Sequence, residues 1–369
     1  MKIEVSSKML LDAAKKAATA CGGTSAMADM IKISCKGEKI TLTAVGDPMT
    51  IVTNVDDPDA SVKEDGEFLI EKEILLSALK KSDGNIITMT TDKRNGYLSV
   101  SDGKAKMKLN ITNTDDFPKA ADSVETNLIS IAKDDLVDML KKTVYASAVK
   151  DNRAILNGGH VVVGDGLFKI CCTDSYRLAV QERAIDTGEA HIETTVPIAT
   201  LKAILTLFEG EENIQISCDD RRAAFSCDNF RIISRLLSGA YPRVLNLIPE
   251  ETAPTTAKST MKRKRLLEAV DRCSILKDEG ACILLLNGKE GEPMTVSSKD
   301  QEIGSASDSV PCEWVGDEFE ISMDARYVKD ALKAMDQENI TMNFYGNIRP
   351  AVIRDGNEIH LLLPVRTRS

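Results

Sequence analysis

Residues 5–16 read VSSKMLLDAAKK. Val5 closes a short alternating stretch, Leu10 follows five positions later and Ala14 four after that, and Lys15 and Lys16 end the run. The four-residue step places Leu10 and Ala14 on one helical face. At about 100° per residue, the two lysines fall well away from it, toward solvent. The stretch therefore predicts a strand that turns directly into an amphipathic helix.

The same arrangement returns at Ile70/Leu75/Leu79, Ile131/Leu136/Leu140, Val196/Leu201/Leu205, Met261/Leu266/Val270 and Met323/Val328/Leu332. Steps between first members are 65, 61, 65, 65 and 62 residues. Six occurrences at nearly constant spacing identify an internal repeat. Between the helices lie period-two stretches such as KITLTAV (39–45), YLSVSD (97–102) and HVVVGDGLFKICC (160–172), separated by turn pairs such as Asn95-Gly96, Asp102-Gly103, Asp165-Gly166 and Asp355-Gly356. These predict short antiparallel strands and hairpins.

Two such units make a domain of about 125 residues, an ordinary size. The polar, Pro-containing stretches 112–127 and 249–260 are the expected linkers. Three similar domains are expected, at 1–126, 127–252 and 253–369. Each has two helices backing mostly antiparallel sheets, an α+β architecture.

Charge is divided between helices and the rest. The chain carries 47 Lys+Arg against 57 Asp+Glu, net −10. Taken alone, that opposes nucleic-acid binding. Yet the six helical segments together carry +10, leaving −20 elsewhere. Basic residues recur five or six positions after the core residue: Lys15/Lys16, Lys80/Lys81, Lys141/Lys142, Arg272 and Lys333. Helices sharing one face of a repeat array form a surface able to follow duplex phosphates without reading bases. The candidate DNA-facing residues are Lys15, Lys80, Lys81, Lys141, Lys142, Lys202, Arg265, Arg272, Lys329 and Lys333.

No enzyme constellation stands out. G-x-S-x-G, Walker A and G-x-G-x-x-G sequences are missing, and no catalytic residue is assigned. Nine scattered cysteines, no C-x-x-C and three histidines give no metal framework, so neither metal nor cofactor is expected. Adjacent Cys171 and Cys172 would point to opposite faces of a strand and pack as reduced thiols. Asp174 reads as a turn residue holding its loop by side-chain-to-backbone hydrogen bonds. With no signal-like N-terminus and no apolar run of spanning length, a cytoplasmic location is expected and no membrane partner.

The chain resembles the bacterial DNA polymerase III beta subunit family, the sliding clamps, from MKIEVSSKMLL to LLLPVRTRS. Its most specific segments are ILNGG (155–159), CTDSYRLAV (172–180), LLSGAYPRVLNLIP (236–249), IRPAVI (348–353) and LLLPVR (361–366). The resemblance implies three similar domains per chain and two chains closing head to tail into a ring, a homodimer. Twelve helices would line its hole and the sheets its outer wall. Such a ring encircles duplex DNA and tethers the polymerase, a processivity factor rather than a catalyst.

It also implies a pocket between the second and third domains for Leu/Phe-containing peptides of the polymerase alpha subunit, the clamp loader and other proteins. Matching positions are Leu156, Thr173, Ser175, Tyr176, Arg177, Leu178, Pro242, Asn246, Leu247, Ile348, Pro350, Leu361, Leu363, Pro364, Val365 and Arg366, with Tyr176 and Arg177 as anchors. Val244 and Asn246 stand where some members carry Tyr and Arg, which implies a less polar rim. Ile275 and Leu276 match the pair that docks on the neighbouring chain, with Met107 facing them. The alternative is a scaffold that holds partner proteins without ring closure. Light scattering separates the two, because a persistent monomer opposes a two-chain ring.

Overall fold

The computed structural model describes residues 1–25, 27–82, 84–92, 96–118, 124, 126–208, 213–276 and 282–365. Six α-helices stand among them where the repeat predicts: α1 (Ser7–Ala18), α2 (Lys72–Lys80), α3 (Lys133–Thr143), α4 (Ile198–Leu207), α5 (Arg263–Cys273) and α6 (Ala325–Ala334). Each directly follows a strand. All the apolar repeat positions are buried except Leu205, which is half-buried. Caps fix two helix starts: Ser6 Oγ accepts from Met9 N at the head of α1, and Asp324 from Arg326 N at the head of α6. Lys15 and Lys16 sit in the last turn of α1, where the helix dipole favours cations.

The strands are antiparallel throughout the recorded pairings, and the turn chemistry explains the hairpins. Gly158–Gly164 pairs with Leu167–Thr173 across Asp165-Gly166, both at positive φ (51° and 76°). That is the backbone a two-residue hairpin turn with the native twist demands. The 249–260 stretch is not wholly a linker, since the strand Ala257–Lys262 begins inside it. Ala257, Ser259 and Met261 are buried in alternation, and their packing outweighs the polar composition.

Contacts group the chain into two compact units, Met1–Asp134 with Lys202–Leu236, and Asp135–Leu201 with Leu237–Ser369. The first holds a five-stranded and an eight-stranded sheet; α1 packs on α2 and on the strands Met30–Lys36, Lys39–Val45 and Met49–Asn54. Its eight-stranded sheet is continuous because Phe230–Arg235 pairs with Met49–Asn54, joining segments from the first and second expected domains. The second unit holds a nine-stranded and a four-stranded sheet, with α5 packed on α6. Its nine-stranded sheet is joined in the same way by Arg177–Ala184 pairing with Glu358–Leu362.

A close approach in the second unit is readily tested. Gly288 ends the strand Ile283–Gly288, and a Cβ there would lie 2.0 Å from Trp314 Cζ3. Trp314, the sole tryptophan, is buried and donates from Nε1 to the Asp317 carbonyl at 3.0 Å. Gly288→Ala should displace the indole and destabilise the chain by about 1–3 kcal/mol, the usual cost of overpacking. Denaturant unfolding followed by Trp314 fluorescence checks this; an unchanged emission maximum and midpoint would show that the indole is not held there.

Candidate peptide-binding site and charged helices

The site is built on the hairpin Leu167–Thr173 and Arg177–Ala184, within the second unit. Its turn is held at nearly every polar atom. Thr173 Oγ1 donates to the Arg177 carbonyl at 2.6 Å and accepts from Ser175 N at 3.1 Å. Asp174 Oδ1 accepts from Tyr176 N and Arg177 N at 2.9 and 3.1 Å, the turn role its position predicts. Ser175 is left-handed, φ 78°, a backbone costly for a side chain with a Cβ. Its hydroxyl accepts from Arg153 Nη2 at 2.9 Å, and Arg153 is itself clamped by Asp151.

Cys171 and Cys172 lie on opposite faces of their strand. Cys171 packs with Leu178, Val180, Val352 and Leu361, whereas Cys172 packs with Ala146 and Ala179. Burial pushes the Cys171 thiol up to about 12 and Cys172 higher still, so neither is a thiolate near neutrality. The Cys171 face forms an apolar floor. Tyr241, Val244, Ile248, Tyr345 and Leu363 pack on its edge. Tyr241 stacks on His160 at 4.6 Å, fastening the segment that carries Pro242 and the short turn Val244–Leu247.

The predicted residues divide by exposure. Tyr176, Leu247 and Ile348 are 59%, 58% and 72% exposed, each leaving a large apolar side chain open to solvent. Pro242 and Asn246 are also exposed, and Pro350, Leu363, Pro364 and Val365 are half-buried. Leu156, Thr173, Leu178 and Leu361 are buried and serve as support beneath. Backbone bonds tie the C-terminal segment down, from Leu363 N to the Tyr176 carbonyl and from Val365 N to the Ser322 carbonyl, at 2.9 and 2.8 Å. Arg366 lies outside the described residues.

Arg177 is engaged rather than open. Nε bonds Asp174 Oδ2 at 3.0 Å and Nη1 bonds Asp330 Oδ2 of α6 at 2.6 Å. Its guanidinium carbon lies 4.8 Å from the Tyr327 ring centre and 5.2 Å from that of Tyr145. Tyr327 also stacks on Tyr176 at 5.9 Å. Sequence reasoning missed Tyr145, Arg153, Tyr327 and Asp330. The available signal for Tyr327 was an aromatic ring placed beside, not within, the apolar stripe of α6.

The basic helix residues also divide. Lys15, Lys80, Lys81, Lys141, Lys202 and Lys333 are exposed and without an ion pair among the described residues. Lys142 departs from the expectation of a solvated lysine: it is buried, with Nζ at 3.1 Å from Glu358, 3.2 Å from Asp138 and 3.6 Å from Asp336. Burial works against its charge, but Glu358 and Asp138 outweigh that and hold its pKa above the ordinary value. Arg265 and Arg272 converge on Asp308, at 2.6 and 2.5 Å, and Lys329 pairs with Asp271 at 2.5 Å. The Arg265 hydrogen bond, reinforced by Arg272 against partial burial, keeps Asp308 well below the usual carboxylate range.

Ile275, just after α5, is 75% exposed, so core packing does not account for it; Leu276 is half-buried. Met107 is half-buried on Lys106–Asn110, an edge strand of the five-stranded sheet. Among the described residues no His/Cys/Asp/Glu group could hold a metal, and no helix is long and apolar enough to cross a membrane.

Comparison with known proteins gives one answer. Residues 130–243 match the family model "DNA polymerase III beta subunit, central domain", and 246–365 match the corresponding C-terminal domain. The beta sliding clamp of Bacillus subtilis (strain 168) is 28% identical over 350 residues, covering 91% of each chain. That of Staphylococcus aureus (strain Mu50 / ATCC 700699) is 26% identical over 349 residues, again 91% of each. The crystal structure of the Bacillus subtilis DNA polymerase sliding clamp superposes with a TM-score of 0.94 at 25% identity, covering all of both chains. The Thermotoga maritima beta subunit shares the fold with a TM-score of 0.91 at 20% identity, also over both whole chains.

Beneath the site, Glu358 gives a pH signature. Burial alone would raise its carboxyl, but the hydrogen bond and charge of His360, then those of Lys142, outweigh burial and bring it down from 4.5 to about 2. A carboxyl depressed in the folded state contributes stability that is fully present above its unfolded value and is lost as pH falls through the folded one. The window is therefore between pH 4.5 and about 2, with an effect on the order of 3 kcal/mol. Acid titration of unfolding should show that loss in the unaltered chain and a flatter profile in Glu358→Gln. Parallel profiles would remove Glu358 as the source.

Proposed function

Because the chain belongs to the DNA polymerase III beta subunit family, we propose that it works as a DNA sliding clamp, a ring around duplex DNA that keeps the replicative polymerase on its template. It has no chemistry of its own to perform, and processivity comes from topology. The observation that carries this reading is the division of charge: +10 on the helical segments of a chain whose net charge is −10. Exposed Lys15, Lys80, Lys81, Lys141, Lys202 and Lys333 would meet phosphate, with the paired Arg265, Arg272 and Lys329 as secondary contributors. Lys142 would not. Such contacts are sequence-independent and weaken with salt.

The chain would comprise three similar domains, divided near 126 and 252. Two chains would close head to tail, with Ile275 and Leu276 docking near Met107 of the partner subunit. Partner proteins, among them the polymerase alpha subunit and the clamp loader, would insert Leu and Phe side chains over the floor flanked by Tyr176, Leu247 and Ile348. Apolar floor, exposed apolar rim and few polar anchors suit a short peptide. Val244 packs at that edge where a more polar residue would extend into solvent, which favours apolar over charged flanking residues. The cytoplasm, where replication takes place in bacteria, is the location that follows.

Two measurements test this. After loading, the protein should be retained on circular DNA and lost from linear DNA of the same length, because only an end lets a ring slide off. Equal retention on both templates would end the topological reading in favour of a scaffold. Separately, Tyr176→Ala should weaken a Leu/Phe peptide by about 1.5–3 kcal/mol, or tenfold and more, in fluorescence anisotropy. Unchanged affinity would mean that the peptide binds elsewhere.

A further inference from the structure

A line of buried and half-buried polar groups runs from α3 to the Thr173–Leu178 turn. Lys142 Nζ is 3.1 Å from Glu358 Oε2, and Glu358 Oε1 is 2.6 Å from His360 Nε2. His360 Nδ1 is in turn 2.7 Å from Tyr145 Oη. The Tyr145 ring faces the Arg177 guanidinium, which donates to Asp174 in the turn and to Asp330 on α6. Glu358 and His360 are 4% and 1% exposed. Unpaired, such groups are costly in the interior, and their cost fixes each to a single arrangement.

We infer that Tyr145, His360, Glu358 and Lys142 are positioning residues for the peptide site, acting through Arg177. On this account Arg177 is a strut and not a free guanidinium offered to the peptide. Two of its N–H donors, on Nε and Nη1, are committed to carboxylates in different elements, and aromatic rings flank it. A guanidinium held in this way fixes the Thr173–Leu178 turn, with its left-handed Ser175, against α6. It thereby sets where Tyr176 presents its exposed ring beside Tyr327. The inference rests on the peptide-site reading of the preceding section.

The geometry separates two roles that a simple loss of affinity would confuse. An Arg177 that met the peptide by charge alone would be replaced acceptably by lysine. A strut would not, because an ammonium cannot make the fixed two-sided fork that reaches Asp174 and Asp330 together. Tyr145→Phe keeps the ring beneath the guanidinium and deletes only the hydroxyl that meets His360. Asp330→Asn removes the charge at the far end of the strut from a half-exposed helical position.

The experiment is a double-mutant cycle on the full chain, read by anisotropy with a fluorescein-labelled hexapeptide ending in Leu-Phe. Tyr145→Phe and Asp330→Asn should each lower affinity about fivefold in the Arg177 background and leave it unchanged in Arg177→Ala. Arg177→Lys should bind as poorly as Arg177→Ala. Equal losses in both backgrounds, or no loss in the first, would overturn the inference; so would a lysine variant that binds normally. Should Tyr145→Phe fail to fold, Asp330→Asn carries the cycle alone. If the unaltered chain does not bind the hexapeptide, the peptide-site reading fails, and that outcome is distinct from a cycle that binds but shows no coupling.

Discussion

Backbone pairing between Arg177–Ala184 and Glu358–Leu362 brings the C-terminal strand against the middle of the chain. Everything in the candidate site depends on that ladder. It sets Leu178 opposite Leu361 and Arg177 opposite Leu362, so the two sequence segments share one floor. Because strand side chains alternate, the same register sends Leu178 and Val180 to one face and Ala179 to the other. A slip of one residue would exchange the apolar floor for the charged groups behind it.

Behind the floor, the polar groups are arranged to lose little by burial. Glu358 sits between His360 and Lys142, and Arg177 between two carboxylates and two rings. A buried ion pair is weak evidence for net stability, since desolvation offsets much of its attraction. What it does supply is definition: each group has one satisfactory place. That definition would suit the proposed peptide site, where Tyr176, Leu247 and Ile348 would be presented in a constant pattern.

The exposed cations and the buried ones come from the same helical spacing. Lys141 and Lys142 are neighbours, yet one is exposed and the other lies beneath the sheet among Asp138, Asp336 and Glu358. The repeat places both five or six positions after Leu136, and helical geometry alone gives no reason to separate them. Asp336 and Glu358 are distant in sequence, and their approach to α3 is a result of folding. Likewise Arg265 and Arg272 are drawn to Asp308, on a strand that the helix meets only in the folded chain.

Much of the architecture was legible in the residues because it is periodic. Five- and four-residue steps placed all six helices, turn pairs such as Asp165-Gly166 marked hairpins, and segments such as CTDSYRLAV carried the family resemblance. These signals are local, since a helix face and a turn are decided by residues within a few positions. Which strands close the sheets was not legible, nor were the parts played by Tyr145, Tyr327 and Asp330. Neither the joining of Phe230–Arg235 to Met49–Asn54 nor that of Arg177–Ala184 to Glu358–Leu362 has a local signature. The repeat, its helices and the balance of charge follow from residue pattern alone. Which charges stay unpaired and what holds Arg177 are settled by folding, because those outcomes depend on partners that long-range strand pairing brings within hydrogen-bonding distance.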